Sequence, residues 1–546
     1  MNHQPNILVV IPARGGSKGI PRKNLRSLAG RPLIFYSIRN ALASSFLVDV
    51  YVSSEDEEIL SISEKFGAKV LKRNDEDAQD VVTLDPVIFK AYKQAEAIEK
   101  KQYDIIVTLQ PTSPLLSAKS LDEALSKLIN TPEIDTIISA VNDTHLTWKI
   151  ENNAYKPNYL KRVNRQELSP LFKETGGFLI TRAKNISQSS RIGEHVDLSL
   201  LSDKESIDID SYADWGLCEY YLKRKKLLFV VSGHMKIGLG HVYNTLLLAN
   251  DIVEHEVLFL VDDESQLAFD KISSKNYPVV MQVESDIVED IKKLNPDVVI
   301  NDRLDSSHDY MKALKALGIK TINFEDLGDG AQLADLVINA IYPEREILPK
   351  HFFGHKYFIL RDEFILTPKR KVSEYVKKVL LTFGGVDPNN YTSKVIQAIQ
   401  PYCRKMNIEI TVVAGFGYSD YESLEAFKDI QIIRNTMNIA ELMQDADIIF
   451  TSAGRTTYEV AAMQVPTIVM AQNERELTHL FANAEHGFIN LGLGTEVGNE
   501  KITEAFSSLV ENYSSRQYMS KLMAKADLTA GRQRVLKLVH QIVEHA

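Results

Sequence analysis

The chain has 546 residues, 44% of them apolar and 25% charged, with a formal net charge of −10. That length exceeds one hydrophobic core and implies several domains or lobes; the composition is that of a globular protein, and the acidic balance argues against nucleic-acid binding, which calls for a basic footprint. Only two cysteines occur, Cys218 and Cys403, which argues against a disulfide framework; without a signal-peptide pattern or a long apolar run, a cytoplasmic protein with no membrane association is expected.

In chain order, Ile7 to Ile11 is a continuous apolar run that predicts a strand buried on both faces of a parallel sheet. It breaks into a loop with Gly15, Gly16 and Gly19 and the cations Arg14, Lys18, Arg22 and Lys23. Glycines let backbone N–H groups approach a ligand, and Arg and Lys match phosphate oxygens. At the carboxyl edge of a sheet this is a phosphate-binding loop, although neither GxxxxGK[ST] nor GxGxxG is present. Ile34, Ile38, Ala41 and Leu42 follow at helical spacing, then a strand at Val48 to Ser54 and an acidic-start helix stopped at Gly67. Lys69 to Leu71, Asp104 to Gln110 and Thr136 to Val141 read as further strands. This βαβα rhythm predicts a mostly parallel sheet covered on both faces.

Three more segments of this half carry chemistry. Leu109 to Leu116, LQPTSPLL, is a stiff loop with hydroxyls at a strand end. Arg165-Gln166-Glu167 precedes Glu174-Thr175-Gly176-Gly177 and the strand FLIT. In SIDID, Asp208 and Asp210 are two apart, so in an extended segment both carboxylates face one side and suit Mg²⁺. A helix-cap reading of Asp210 or Ser211 stands beside the metal reading.

Together PARGGSKGIPRKN, VYVSSEDEEI, LQPTSPL, NRQEL, ETGG and SIDID resemble the acylneuraminate cytidylyltransferases, the CMP-sialic acid synthetase family, over residues 5 to 215. The resemblance implies a reaction of CTP with a 2-keto acid sugar to give the CMP-sugar and pyrophosphate, with Mg²⁺. It also implies an α/β domain that forms a homodimer or higher oligomer through a segment inserted around His145 to Thr175. Carried over, Arg14, Lys18, Lys23 and Asn24 hold CTP, Arg73 assists, and Gln110 and Arg165 face the sugar. Asp208 and Asp210 hold the metal, and Lys23, Asp208 and Asp210 are the catalytic set. Leu116, where the family often has Arg, and NDEDAQD after Arg73 depart from the pattern on the substrate side.

Past the charged joint Lys223 to Lys226, a new buried strand is predicted at Leu227 to Val231, followed by a GxGH turn, Gly238, Gly240 and His241. The helix after it carries the stripe Val242, Leu246, Ala249 and Val253. Strands are expected at Val257 to Val261, Asp297 to Ile300 and Thr321 to Phe324, and the pattern restarts at Val379 to Gly385, Glu409 to Gly415 and Ala446 to Gly454. Two such lobes facing a cleft predict a GT-B-like pair of Rossmann-type domains. In Ser452 to Glu459 a strand runs through a glycine turn into a helix. Gly454 and Thr456 there suit a diphosphate and Glu459 a ribose, unless Thr456 or Thr457 only caps the helix. The tail after Asn473 reads as helical and charged, with no site.

GLGHVYNTLLLA, FEDLGDGAQLADLVIN, GHKYFILRDEF, LTFGGVDPNN and TSAGRTTYEVAAMQVPTIVMAQN resemble the UDP-sugar hydrolase of pseudaminic acid biosynthesis and, beyond it, GT-B nucleotide-sugar transferases. The resemblance makes His241 the general base and Gly240, Gly454, Thr456 and Glu459 the UDP-sugar contacts. It departs at Asn244, Arg455 and Gln464, where the family has Arg, a small residue and Gly. The expected organisation is a cytidylyltransferase domain at 1–225, a GT-B-like N-lobe at 226–368 and a C-lobe at 369–546. The expected function is CMP activation of a nonulosonic acid joined to UDP-sugar hydrolysis. The alternative is an active cytidylyltransferase carrying a non-catalytic or glycosyltransferase module.

Overall fold

The computed structural model describes residues 5–17, 19–79, 81–234, 237–343, 348–415, 417–434, 436 and 438–546. Lys18 lies outside the described residues. The chain forms two compact units, Met1–Arg224 and Lys225–Ala546.

The first unit is built on a seven-stranded sheet in the order Val196–Leu200, Thr136–Asn142, Phe172–Arg182, Ile105–Leu109, Ile7–Pro12, Val48–Ser54, Lys69–Lys72. Every neighbouring pair is parallel except the two made by Phe172–Arg182. That exception has a local cause. Between Asn142 and Phe172 the chain carries an exposed hairpin, Trp148–Glu151 with Ala154–Pro157, and no α-helix to carry a parallel crossover. Asn152 and Asn153 turn the hairpin at φ 52° and 60°, the left-handed pair a two-residue hairpin turn demands. The first strand alternates faces as expected. Ile7, Val9 and Ile11 pack with Ile34, Ile38, Leu121 and Leu125, while Leu8 and Val10 pack with Ile88, Ala91 and Ala95. Helix Glu57–Lys65 is capped by the Asp56 carboxylate and stops at Gly67, φ 94°.

Chain order reverses beside the first strand: successive strands step to one side as far as Lys69–Lys72, then Ile105–Leu109 enters on the other. At such a switch point the loops leaving the carboxyl ends of two adjacent strands diverge and open a crevice. The two loops here are the glycine-rich cationic loop and LQPTSPLL.

The second unit holds two all-parallel sheets. The first runs Val279–Met281, Glu256–Val261, Lys226–Val231, Val298–Asp302, Lys320–Phe324, Leu336–Asn339, His351–Phe353. The second runs Ile430–Arg434, Glu409–Ala414, Lys378–Thr382, Ile448–Thr451, Thr467–Ala471, Phe488–Leu493. This is the expected GT-B-like pair. The last helix, Gly531–Val543, returns to the first sheet, where Val535, Val539 and Val543 share a core with Ile322 and Ile338. In the helix Gly240–Asp251, Val242, Leu246 and Ala249 are buried, but Val253 lies beyond the helix and is exposed, because the helix has already ended at Asp251.

Candidate functional site

In the first unit, three motifs far apart in sequence meet at the switch point. SIDID docks on the LQPTSPLL loop through the Ile209 N–H, which donates to the Thr112 carbonyl at 2.9 Å. Lys23 closes the same segment from the other side: its Nζ donates to the Ile209 carbonyl at 2.6 Å and stands 3.8 Å from Asp210 Oδ1. Two glycines are required by this docking. A Cβ on Gly19 would lie 2.8 Å from the Asp210 carbonyl oxygen, and one on Gly176 would lie 2.9 Å from Asp208 Oδ1. These three motifs, with ETGG through Gly176, thus form one surface around Asp208.

Ser211, rather than Asp210, caps helix Tyr212–Lys223, in a capping box with Asp214. Asp210 is therefore outside the helix, its side chain 84% exposed. Asp208 is the more deeply set of the two. Burial raises its carboxyl above the usual range, and the Asp210 and Asp214 charges add to this while Thr112 and Lys23 oppose it. Asp208 Oδ1, Thr112 Oγ1 and Ser113 Oγ are buried with no hydrogen-bond partner of ordinary length. Thr112 still lowers the Asp208 carboxyl as a hydrogen-bonding neighbour, so these atoms face one another loosely and leave acceptor capacity open to a ligand. The residues fit Mg²⁺: a hard oxygen donor with no partner, and a second carboxylate two residues on.

The other expected nucleotide contacts are placed as follows. The Asn24 side chain donates to the Arg14 carbonyl at 2.9 Å and holds the loop closed. Arg73 is buried against Glu55, with Nε and Nη2 at 3.0 and 2.8 Å from Oε2, while Glu55 Oε1 accepts the Gly15 N–H at 2.6 Å. Burial alone would raise the Glu55 carboxyl; the Gly15 N–H and Arg73 outweigh it and hold the group below its ordinary range. Glu55 is thus an anion already seated on the loop, and sequence reading missed it. Arg22 turns away to Asp56 and Glu58. Gln110 follows the strand Ile105–Leu109, its carbonyl accepting from Ser37 Oγ at 3.1 Å. Arg165 is exposed in a short turn, Arg165–Glu167, of the inserted segment.

The second unit repeats the plan with different contents. Gly238, at φ 76°, turns the chain after the strand Lys226–Val231, and the helix starts at Gly240. His241 Nδ1 meets Asp302 Oδ1 at 2.5 Å, and Asp302 Oδ2 accepts from Asn244 Nδ2 at 2.7 Å. An ionised carboxylate only accepts, so Nδ1 carries the proton and Nε2 is left as the basic atom. Asp302 is fully buried at the end of the strand next to the first. From the other lobe, Arg455 Nη2 donates to Asn244 Oδ1 at 2.8 Å, and Nη1 stands 3.5 Å from Glu325 Oε1. Arg475 makes a second crossing, to Asp305 at 3.0 and 3.1 Å and to the Tyr342 hydroxyl at 2.6 Å.

Neither Thr456 nor Thr457 caps its helix: Arg455 occupies the cap position without a side-chain bond, and Thr457 Oγ1 bonds back to the Gly454 carbonyl at 2.8 Å. Glu459 is paired with Arg361, at 3.0 and 2.9 Å. Beside Gly454, Glu476 accepts the Ala453 and Gln472 N–H groups at 3.1 and 2.8 Å, so a residue after Asn473 braces the glycine turn. Asp302 and Glu325 were missed as well, yet Asp302 ends one central parallel strand and Glu325 directly follows another, the place where such sheets bind ligands.

An open α/β sheet with a cationic glycine loop at its switch point and the half-buried Asp208 beside it has the arrangement of a nucleotide-binding α/β domain. Residues 8–225 match the family model described as cytidylyltransferase, and residues 379–535 match the glycosyltransferase family 28 C-terminal domain. The chain is 33% identical over 225 residues to CMP-N,N'-diacetyllegionaminic acid synthase of Legionella pneumophila, covering 39% of this chain and 94% of that protein. Over 226 residues it is 35% identical to N-acylneuraminate cytidylyltransferase A of Danio rerio, covering 40% of this chain and about half, 51%, of that protein. An uncharacterized protein of Methanocaldococcus jannaschii is 33% identical over 325 residues, covering 52% of this chain and 67% of that protein. The chain belongs to the cytidylyltransferase family. No helix among the described residues is long and apolar enough to cross a membrane.

Proposed function

We propose that the first unit transfers CMP from CTP to a nonulosonic, sialic-acid-like 2-keto sugar. The observation that carries this reading is the meeting of SIDID, LQPTSPLL and the glycine loop, which sets the Lys23 ammonium beside Asp210 and leaves Asp208 Oδ1 without a close hydrogen bond. In the reaction the anomeric hydroxyl loses its proton to solvent and its oxygen bonds to the α-phosphorus. The bond from that phosphorus to the β-bridging oxygen breaks, and pyrophosphate leaves with the electron pair. The loop cations neutralise the triphosphate. Asp208 and Asp210 would hold Mg²⁺, which supplies charge neutralisation at the phosphates. Arg165 and Gln110 are the proposed sugar-side contacts. The hairpin Trp148–Pro157 supports a homodimer: all eight of its strand residues are exposed, Trp148, Ile150 and Tyr155 among them.

The test is pyrophosphate release from CTP with a panel of sialic, legionaminic and pseudaminic acids. One sugar is expected to react, and Asp208→Ala to reduce release at least about 100-fold. Release unchanged in that variant would remove Asp208 from the site.

For the second unit we propose a nucleotide-sugar hydrolase, with UDP-sugar as substrate. The His241–Asp302 pair supports catalysis: Asp302 sets the tautomer, and His241 Nε2 takes the proton of the attacking water while the diphosphate leaves the anomeric carbon. The family 28 match favours a second reading, in which an acceptor hydroxyl replaces water. Product analysis with UDP-sugar alone separates the two, since free sugar forms only by hydrolysis.

A further inference from the structure

Glu325 is a carboxylate in an unusual setting. It is 2% exposed and sits at φ 52°, a left-handed conformation that a non-glycine residue rarely adopts. One oxygen, Oε2, accepts the Ile341 N–H at 3.3 Å; the other faces Arg455 at 3.5 Å. Arg455 is the only cation its side chain meets among the described contacts, and it comes from the opposite lobe. The remaining charged or titratable neighbours are Asp302 and His241 from the first lobe, and Tyr342 and Tyr458. Arg475 reaches the Glu325 backbone carbonyl, not the carboxylate.

Arg455 in turn stands at the mouth of the glycine turn, at the start of helix Thr456–Met463. Its guanidinium bonds Asn244 and lies 4.8 Å from the Phe358 ring centre, and its Cδ would be 3.1 Å from a Cβ on Gly240. It therefore fills the space between the His241 loop and the turn, where a diphosphate bound to this unit would have to pass. A guanidinium binds a phosphate bidentately, a better match than one long contact to a carboxylate.

We propose that Glu325 is the resting counter-ion of Arg455: a nucleoside diphosphate entering the cleft takes Arg455 for its own oxygens, and Glu325, left without a cation, takes up a proton from solvent. This rests on reading the second unit as a nucleotide-sugar site. Burial, only partly opposed by Arg455, already pushes the Glu325 carboxyl up to about 7. Withdrawing Arg455 pushes it higher. The complex then holds more protons than the free unit, so affinity is expected to fall as pH rises above about 7.

The experiment is calorimetric titration of the full chain with UDP in buffers of different ionisation enthalpy, which counts protons, repeated across pH. Wild type is expected to take up a fraction of a proton more than Glu325→Gln, whose affinity should vary with pH only as UDP itself titrates. Arg455→Ala is expected to bind about tenfold more weakly and to match Glu325→Gln in proton count. Equal proton counts in wild type and Glu325→Gln would overturn the proposal while leaving the nucleotide reading intact. Should that variant not fold, Arg455→Ala decides: a wild-type count and affinity there overturns it. No UDP binding by wild type overturns the nucleotide reading itself.

Discussion

The two units solve the same placement problem and leave their sites in opposite electrostatic states. Both put a glycine loop after their first strand at a switch point, and both face it with a carboxylate from elsewhere. In the first unit the key acceptor, Asp208 Oδ1, has no partner. In the second, His241, Asp302, Asn244, Arg455 and Glu325 are joined in one chain of contacts. An orphaned buried acceptor is costly, on the order of 1–3 kcal/mol, and is retained where a ligand supplies the missing partner. A saturated network needs no ligand to stand, so a ligand must displace one of its members.

That contrast can be broken or sharpened by mutation, beginning with the largest effect. Asp208→Asn removes the charge but not the volume. Pyrophosphate release is expected to fall at least about 100-fold with thermal stability unchanged or higher, because a buried carboxylate with a raised pKa is lost. A large drop in stability instead would mean that Asp208 is structural and the contrast false. The same carboxyl sets a pH dependence. Without metal its pKa is raised, so Mg²⁺ has to compete with a proton for it, and Mg²⁺ affinity of the first unit is expected to weaken on acidification. A metal affinity that does not change between neutral and mildly acidic pH would contradict this.

Next is Asp302→Asn. If Asp302 orients His241, UDP-sugar turnover should fall about 10²–10⁴-fold while UDP affinity stays within a few-fold. Equal loss of both would make the pair a binding device. Gly176→Ala places a methyl group against Asp208; an intermediate loss, about tenfold in release, is expected, with no effect on the second unit. Smallest is Arg22→Ala. Its exposed pairs with Asp56 and Glu58 should contribute no more than about 1 kcal/mol to stability. A large loss of CTP affinity there would show that Arg22 leaves those partners to join the phosphates.

Local pattern was enough for much of this. Continuous apolar runs marked the central strands because strands buried on both faces cannot alternate, as Ile7 to Ile11 show. The glycine–cation loop was legible as the segment that leaves the first strand at the carboxyl edge of the sheet; that Asp208 is set in while Asp210 is exposed was not. Short strands such as Val279–Met281 and His351–Phe353 were not legible, since three residues carry too little periodicity.

Pairing was decided only by tertiary structure. That Glu55 sits on Gly15, that Asp302 orients His241 from 61 positions away, and that Arg455 crosses between lobes to Glu325 depends on which strands lie side by side. A residue's type announces what chemistry it can offer. Burial and the neighbour across the fold determine whether that capacity is already satisfied or left open for a ligand, and neither is written in any short stretch of chain.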